Sequence, residues 1–185
     1  MQVAAVILAA GASTRFGSPK QLARIGGKTL LEAVASVAHR AGLRPVIAVV
    51  PPRLVVPADV VPALNDAPEE GMSHSLRLGL AAVPVEADAA VILLGDQPTL
   101  AVETVRAVVG AARGDRLVVA ARADGRIGPP VLLMRGSFAL AEGARGDEGL
   151  RSILAQHGDL VTTVEVDRHP RDVDTPADLA ALDAG

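Results

Sequence analysis

The stretch Leu8-Ala-Ala-Gly-Ala-Ser-Thr-Arg-Phe-Gly-Ser-Pro-Lys20 decides how this chain is read. It continues the apolar run Val3–Leu8, so it looks like a strand that opens into a loop of small residues and closes on two cations. Small side chains let backbone N–H groups approach phosphate oxygens closely, and Arg15 and Lys20 are long enough to reach one shared anion. Neither familiar glycine pattern is present. A P-loop ending in Gly27-Lys28-Thr29 needs glycine where Leu22 stands, and the dinucleotide fingerprint needs glycine two residues after Gly11, where Ser13 stands. A polyphosphate loop on another nucleotide-binding fold is expected.

Working outward, Val- and Ile-rich runs recur at Val3–Leu8, Val46–Val50, Ala89–Leu94, Leu117–Ala121, Pro130–Met134 and Val161–Val166. Between them, Thr29–Arg40 carries Leu30, Leu31, Val34 and Val37 at helical spacing. Ser73–Ala82, Val102–Ala112 and Leu150–Gln156 read as helices too. Continuous apolar strands alternating with amphipathic helices predict a three-layer α/β/α sandwich, Rossmann-like, with a mainly parallel sheet covered on both faces. Segments 51–68 and 122–130, rich in Pro, Gly or Asp, are expected to be loops. Ligands of such sheets bind beyond the carboxyl ends of the strands, so the loop after Leu8 should meet the Gly95-Asp96 turn. Residues 1–185 are expected to form a single domain, since a chain of this length buries about 70% of its unfolded surface.

Composition narrows the chemistry. The chain has no cysteine, which excludes disulfides and thiolate metal ligands, and His39, His74, His157 and His169 lack metal-ligand spacing. Any metal should therefore have oxygen ligands. With 18 basic against 21 acidic residues and an aromatic inventory of two Phe, a nucleic-acid surface is not expected. No apolar run reaches the roughly 18 residues of a membrane span, so a soluble, cytoplasmic protein without a membrane partner is expected. Both lysines, Lys20 and Lys28, fall near the small-residue loop.

Asp96 follows four apolar residues and should project from a strand end into the ligand crevice. It reads either as a magnesium ligand, because Mg²⁺ takes one or two carboxylates with phosphate oxygens and water, or as a cap for a helix starting at Pro98-Thr99. Asp172 and Asp174, two apart in an extended stretch, can face one site together, or Asp174 can cap the helix begun by Thr175-Pro-Ala-Asp178. Gly71-Met-Ser-His-Ser75 allows a tight helix entry that offers hydroxyl, imidazole and backbone donors to an anion, or is an ordinary serine-capped helix.

Leu-Ala-Ala-Gly-x-Ser-x-Arg-x-Gly-x-Pro-Lys resembles the signature of the sugar-nucleotide-like nucleotidyltransferases. Pro19-Lys20-Gln21-Leu22 is similar to their molybdenum cofactor cytidylyltransferase branch, as are Asn65–Leu80, Leu94-Gly-Asp-Gln-Pro98 and Asp172-Val-Asp-Thr-Pro-Ala-Asp178. The resemblance implies transfer of CMP from CTP to a molybdopterin-type phosphate with release of pyrophosphate, dependent on Mg²⁺, with Mn²⁺ as a substitute. It implies that Arg15, Lys20 and Asp96 are catalytic and that Asp96 and Asp174 hold the metal. Leu8, Ala9, Ala10, Gly11 and Ser13 join Arg15, Lys20 and Asp96 in binding the nucleotide. The acceptor is placed beside Asn65, Gly71, Met72, Ser73, His74 and Ser75. Gly128-Pro-Pro-Val131 and Gly146-Asp-Glu-Gly149 also look like blocks near it, with Asp147 a contact or a helix cap. A molybdoenzyme or its chaperone is the implied protein partner. In the similar guanylyltransferases the position of Ala10 is usually glycine, so its methyl group points to cytidine over guanosine. A same-fold transferase for GTP or another phosphorylated acceptor, and a non-catalytic binder of nucleotide or molybdopterin, are the other readings.

Overall fold

The computed structural model describes residues 1–11, 16–17, 19–113 and 118–183. The expectations for Ser13 and Arg15 lie outside these described residues. The chain runs β1 (Val3–Leu8), a small antiparallel hairpin of β2 (Arg24–Ile25) and β3 (Lys28–Thr29), and then α1 (Leu30–Arg40). It continues through β4 (Val46–Val50), β5 (Val61–Leu64), α2 (Met72–Ala81), β6 (Ala89–Leu94) and α3 (Val102–Gly110). The last elements are β7 (Val118–Ala123), β8 (Arg126–Met134), α4 (Gly149–Gln156), β9 (Val161–Glu165) and α5 (Pro176–Asp183).

Seven strands form one sheet in the order β5-β4-β1-β6-β8-β7-β9. β8 runs antiparallel to β6 and β7, and the remaining pairings are parallel. Side chains alternate between the two faces of a strand, which divides the core in two. Ala5 and Ile7 of β1 pack with Leu31, Val34 and Ala38 of α1 and with Val105 and Val108 of α3. Ala4, Val6 and Leu8 face the opposite way, toward Leu76 and Leu80 of α2 and Leu150 and Ile153 of α4. This is the expected α/β/α arrangement.

Two segments read as loops contain strand. The stretch 122–130 is the turn of a β7–β8 hairpin, with Ala123 paired to Arg126 across Asp124-Gly125. Both turn residues have positive φ, 50° and 72°, the backbone that a two-residue Asp-Gly hairpin requires. Within 51–68, Val61–Leu64 adds a parallel edge strand beside β4 despite Pro62. An edge tolerates proline because one side of the strand needs no ladder bonds.

α1 opens with a capping box: Thr29 Oγ1 accepts from Glu32 N at 3.1 Å, and Glu32 carboxylate accepts from Thr29 N at 2.7 Å. These bonds from Thr29, backbone first, hold the Glu32 carboxyl below the ordinary glutamate value. α2 packs on the sheet through Gly79, where there is no room for a side chain. A Cβ there would collide with Val6 Cγ1 and stand 3.0 Å from Val49 Cγ2, both on buried strands.

Gly79→Ala is expected to destabilise the protein by about 1–3 kcal/mol through overpacking, read as a lower urea midpoint. Glu32→Gln should lower stability near neutral pH. Because the folded-state pKa of Glu32 is depressed, its contribution is present above the unfolded value and is lost as pH falls through the folded one. The gap between parent and variant in urea melts should therefore close on acidification, and a gap that widens would contradict this assignment.

Candidate active site

β1 and β6 pair in parallel register through Leu8 and Leu94, so the two strands end side by side. Beyond the ends, Gly95 N donates to Leu8 O at 2.9 Å and Ala9 N donates to Val49 O at 2.9 Å. A Cβ on Gly95 would stand 2.8 Å from Ala9 Cβ, so a glycine lets the turn after β6 lie against the start of the small-residue loop. Asp96 is thereby delivered beside Ala9–Gly11.

Lys20 arrives on the short 3-10 turn Lys20–Leu22. Its neighbour Gln21, 3% exposed, donates its amide to Ala9 O at 2.7 Å and to Gly11 O at 3.2 Å. The turn is thus docked onto the loop by a neutral side chain while the adjacent ammonium points elsewhere. The third charged group comes from far along the chain. Val173 is fully buried and its N–H donates to Asp96 O at 2.9 Å, which pins the extended segment before α5 beside Asp96.

Lys20 Nζ lies 2.7 Å from Asp96 Oδ2 and 3.0 Å from Asp174 Oδ1. Burial alone would lower the Lys20 pKa. The bonds and charges of Asp96 and Asp174 outweigh it, so the ammonium holds its proton above the ordinary lysine value. Gln97, also buried, donates to Asp172 Oδ1 at 2.8 Å. Crowding by protein atoms pushes the Asp172 carboxyl up; the Gln97 bond opposes this shift, and the charges of Asp96 and Asp174 add to it.

Neither acid caps a helix. α3 begins at Val102 with Ala101 as its cap and no side-chain cap bond, so Asp96 is not its cap. At α5, Thr175 Oγ1 accepts from Asp178 N at 3.2 Å, and Asp178 Oδ2 accepts from Thr175 N at 2.8 Å and Asp174 N at 3.1 Å. The Thr175–Asp178 box satisfies that helix start, which leaves the Asp174 carboxylate directed at Lys20. Asp96 Oδ1 is buried with no hydrogen-bond partner among the described residues. An orphaned carboxylate oxygen next to a second carboxylate fits a hard divalent cation that takes its other oxygens from phosphate and water. Among the described residues no cluster of three or more His, Asp or Glu offers a cage built from protein alone.

A cleft of about 460 Å³ joins these groups to the strand end Leu8–Gly11. Its far wall is the start of α2, where Gly71, Met72 and Ser75 line it together with Asp147. Gly71 has φ +85°, and a Cβ there would stand 2.7 Å from Gly146 O. Met72 N donates to Asp147 Oδ1 at 3.3 Å, so α2 is capped from a distant turn and not by its own serines. Asn65, Ser73 and His74 do not line the cleft. Asn65 is fully buried, donating to Ser75 Oγ at 2.9 Å and accepting from Ala67 N at 2.9 Å. Ser73 is buried, and His74 Nδ1 lies 3.2 Å from Glu70 on the same face of the chain. Lys28 also departs from expectation: its ammonium meets Ser36 Oγ at 3.3 Å on α1, away from the acids. Gln21 and Gln97 carry positioning bonds that the sequence reading did not assign. Their only sequence signal is an amide beside each charged residue, Lys20-Gln21 and Asp96-Gln97.

Residues 5–161 match the MobA-like NTP transferase domain. The crystal structure of Rv0371c from Mycobacterium tuberculosis H37Rv superposes with a TM-score of 0.87 at 29% identity, covering 100% of this chain and 99% of that chain. A manganese complex of the same protein superposes at 0.82, with 28% identity and 98% of each chain covered. The purine catabolism protein PucB of Bacillus subtilis (strain 168) is 37% identical over 87 residues, 46% of this chain and 42% of that protein. The bifunctional protein GlmU of Clavibacter sepedonicus is 33% identical over 143 residues, 66% of this chain and 27% of that protein. The matches thus span well under two thirds of the length of these curated relatives. With the family's domain covering most of its length, the chain belongs to the MobA-like NTP transferase domain family.

Proposed function

We propose that this protein is a nucleotidyltransferase that joins CMP from CTP to the phosphate of a molybdopterin-type acceptor and releases pyrophosphate. The observation that carries this reading is the ammonium of Lys20 between Asp96 and Asp174 at the ends of β1 and β6. Polyphosphate transfer needs such a collection of cation and hard-oxygen ligands next to a loop rich in backbone N–H groups.

Asp96 and Asp174 would hold Mg²⁺, or Mn²⁺ in keeping with the manganese complex of Rv0371c, and the bound ion would neutralise triphosphate charge. Leu8, Ala9, Ala10, Gly11 and Ser13 are assigned to the nucleotide; the first four line the cleft, and the Ala9 N–H is committed to Val49 O. An oxygen of the acceptor phosphate attacks the α-phosphorus, the bridging bond between the α- and β-phosphates breaks, and pyrophosphate leaves in line. Since the attacking phosphate arrives ionised, no protein nucleophile is required. Lys20 and Arg15 offset the charge that grows on the bridging and leaving oxygens.

The Asn65–Ser75 turn is assigned to the acceptor, with Gly71, Met72 and Ser75 as its contacts. Asn65 acts behind them: by donating to Ser75 Oγ it leaves the hydroxyl proton for an oxygen in the cleft. Ser73 and His74, assigned to the acceptor with them from the sequence, lie on the same turn but are not among the residues that line the cleft. Ala10 belongs to the strand end that lines the cleft, and the alanine in place of a glycine is taken to favour CTP over GTP. The similarity to PucB, whose name places that protein in purine catabolism, supports a second reading in which the same chemistry serves another phosphorylated acceptor.

Incubating the protein with each nucleoside triphosphate, Mg²⁺ and molybdopterin should give a CMP adduct by mass spectrometry together with pyrophosphate. A GTP-derived product in excess would overturn the nucleotide assignment, and pyrophosphate release with a different acceptor alone would favour the second reading. Asp96→Asn and Lys20→Ala should each lower turnover by about 100-fold or more in protein that remains folded, a loss far greater than the change in unfolding midpoint accounts for. Unchanged kcat/KM in either variant would refute the role given to that residue.

A further inference from the structure

We propose that Lys20 and the divalent ion compete for the same carboxylate pair, so that Lys20 closes the acids to metal until a nucleotide draws its ammonium away. This inference rests on the metal role proposed above for Asp96 and Asp174. The ammonium lies within hydrogen-bond distance of one oxygen from each acid, 2.7 Å and 3.0 Å. A divalent ion coordinated to those oxygens at about 2.1 Å would stand against that positive charge, with its side chain only 15% exposed and therefore weakly screened. Both cations cannot occupy the gap.

The two cations differ in what can move them. Lys20 rides on a flexible four-carbon stem, whereas its backbone turn is fixed by Gln21 to Ala9 O and Gly11 O. The ammonium can therefore swing while its anchor stays in place. Gln21 holds its turn against Ala9 and Gly11, which line with Lys20 the cleft assigned to the triphosphate, so phosphate oxygens bound there come within reach of the lysine stem. Phosphate oxygens entering there attract Lys20 and bring the metal's remaining ligands in the same event.

The consequence is a coupling: metal binds weakly alone and tightly with nucleotide, and by linkage nucleotide binds tightly only with metal. Lys20 sets the size of that coupling. A site without such a placeholder would load metal first and wait for substrate.

Mn²⁺ binding followed by electron paramagnetic resonance, with and without the unreactive analogue α,β-methylene CTP, tests this directly. Lys20→Gln, which removes the charge, should bind Mn²⁺ alone about tenfold or more tighter than the parent, and the analogue should tighten it much less than it tightens the parent. Lys20→Arg, which keeps the charge, should stay as weak as the parent without nucleotide. Asp96→Asn, with the analogue present, gives the baseline set by nucleotide alone, and circular dichroism checks that each variant is folded. If Lys20→Gln binds Mn²⁺ no tighter than the parent, while Asp96→Asn still abolishes protein-dependent binding, the competition is wrong and the metal site stands. If Asp96→Asn binds as the parent does, the metal site itself is wrong.

Discussion

The ammonium of Lys20 joins three parts of the chain that are remote in sequence: Asp96 lies 76 residues on and Asp174 lies 154 residues on. Bringing two carboxylates to one place is unfavourable unless a cation lies between them or the surroundings remain wet. Everything around the cleft serves to make that meeting possible. Parallel register brings the ends of β1 and β6 level, and the Val173–Asp96 backbone bond fetches the C-terminal acid. Neutral amides of Gln21 and Gln97 and the Thr175–Asp178 box take over local anchoring, so the charged groups are not consumed by it.

Close approach is the second theme. With aromatic residues making up 1% of the chain, the core is built from Val, Ala, Leu and Ile, which gain their contacts by nearness more than by bulk. Gly79 lets α2 settle onto β1 and β4, and Gly95 lets the turn carrying Asp96 touch Ala9. Gly71 performs the same service across the cleft, where the start of α2 abuts the turn at Gly146-Asp147. In each case the residue is there because it lacks a side chain, and at Gly95 and Gly71 the close approach also builds the cleft.

Much of this was legible in the sequence, and the limits have physical causes. The central strands declared themselves because parallel strands buried on two faces read as unbroken apolar runs. That Asp96 and Asp174 could meet was readable because one follows such a run and the other lies in an extended stretch before a helix start. What stays hidden in the sequence is whatever distant contacts fix. The burial of Asn65 and Ser73, and the bonds of Asn65 to Ser75 and Ala67, come from packing that no local pattern marks. Lys28 sits near the loop in sequence, yet the β2–β3 hairpin turns it onto α1. The positioning bonds of Gln21 could not be foreseen, since its acceptors are carbonyls on a neighbouring segment that composition does not mark. The Asp124-Gly125 hairpin, by contrast, was a readable signal absorbed into a supposed loop.

At the outer strand β5, the Asn65 amide turns inward to Val50 O, so by alternation Pro62 turns outward. A proline there offers no amide proton to a visiting chain. The sheet's most accessible margin, flanked by exposed Val61 and Leu64, is thereby denied the ladder on which intermolecular fibril growth depends. Pro62 thus removes one outward donor from this edge and makes it a poorer template for another chain.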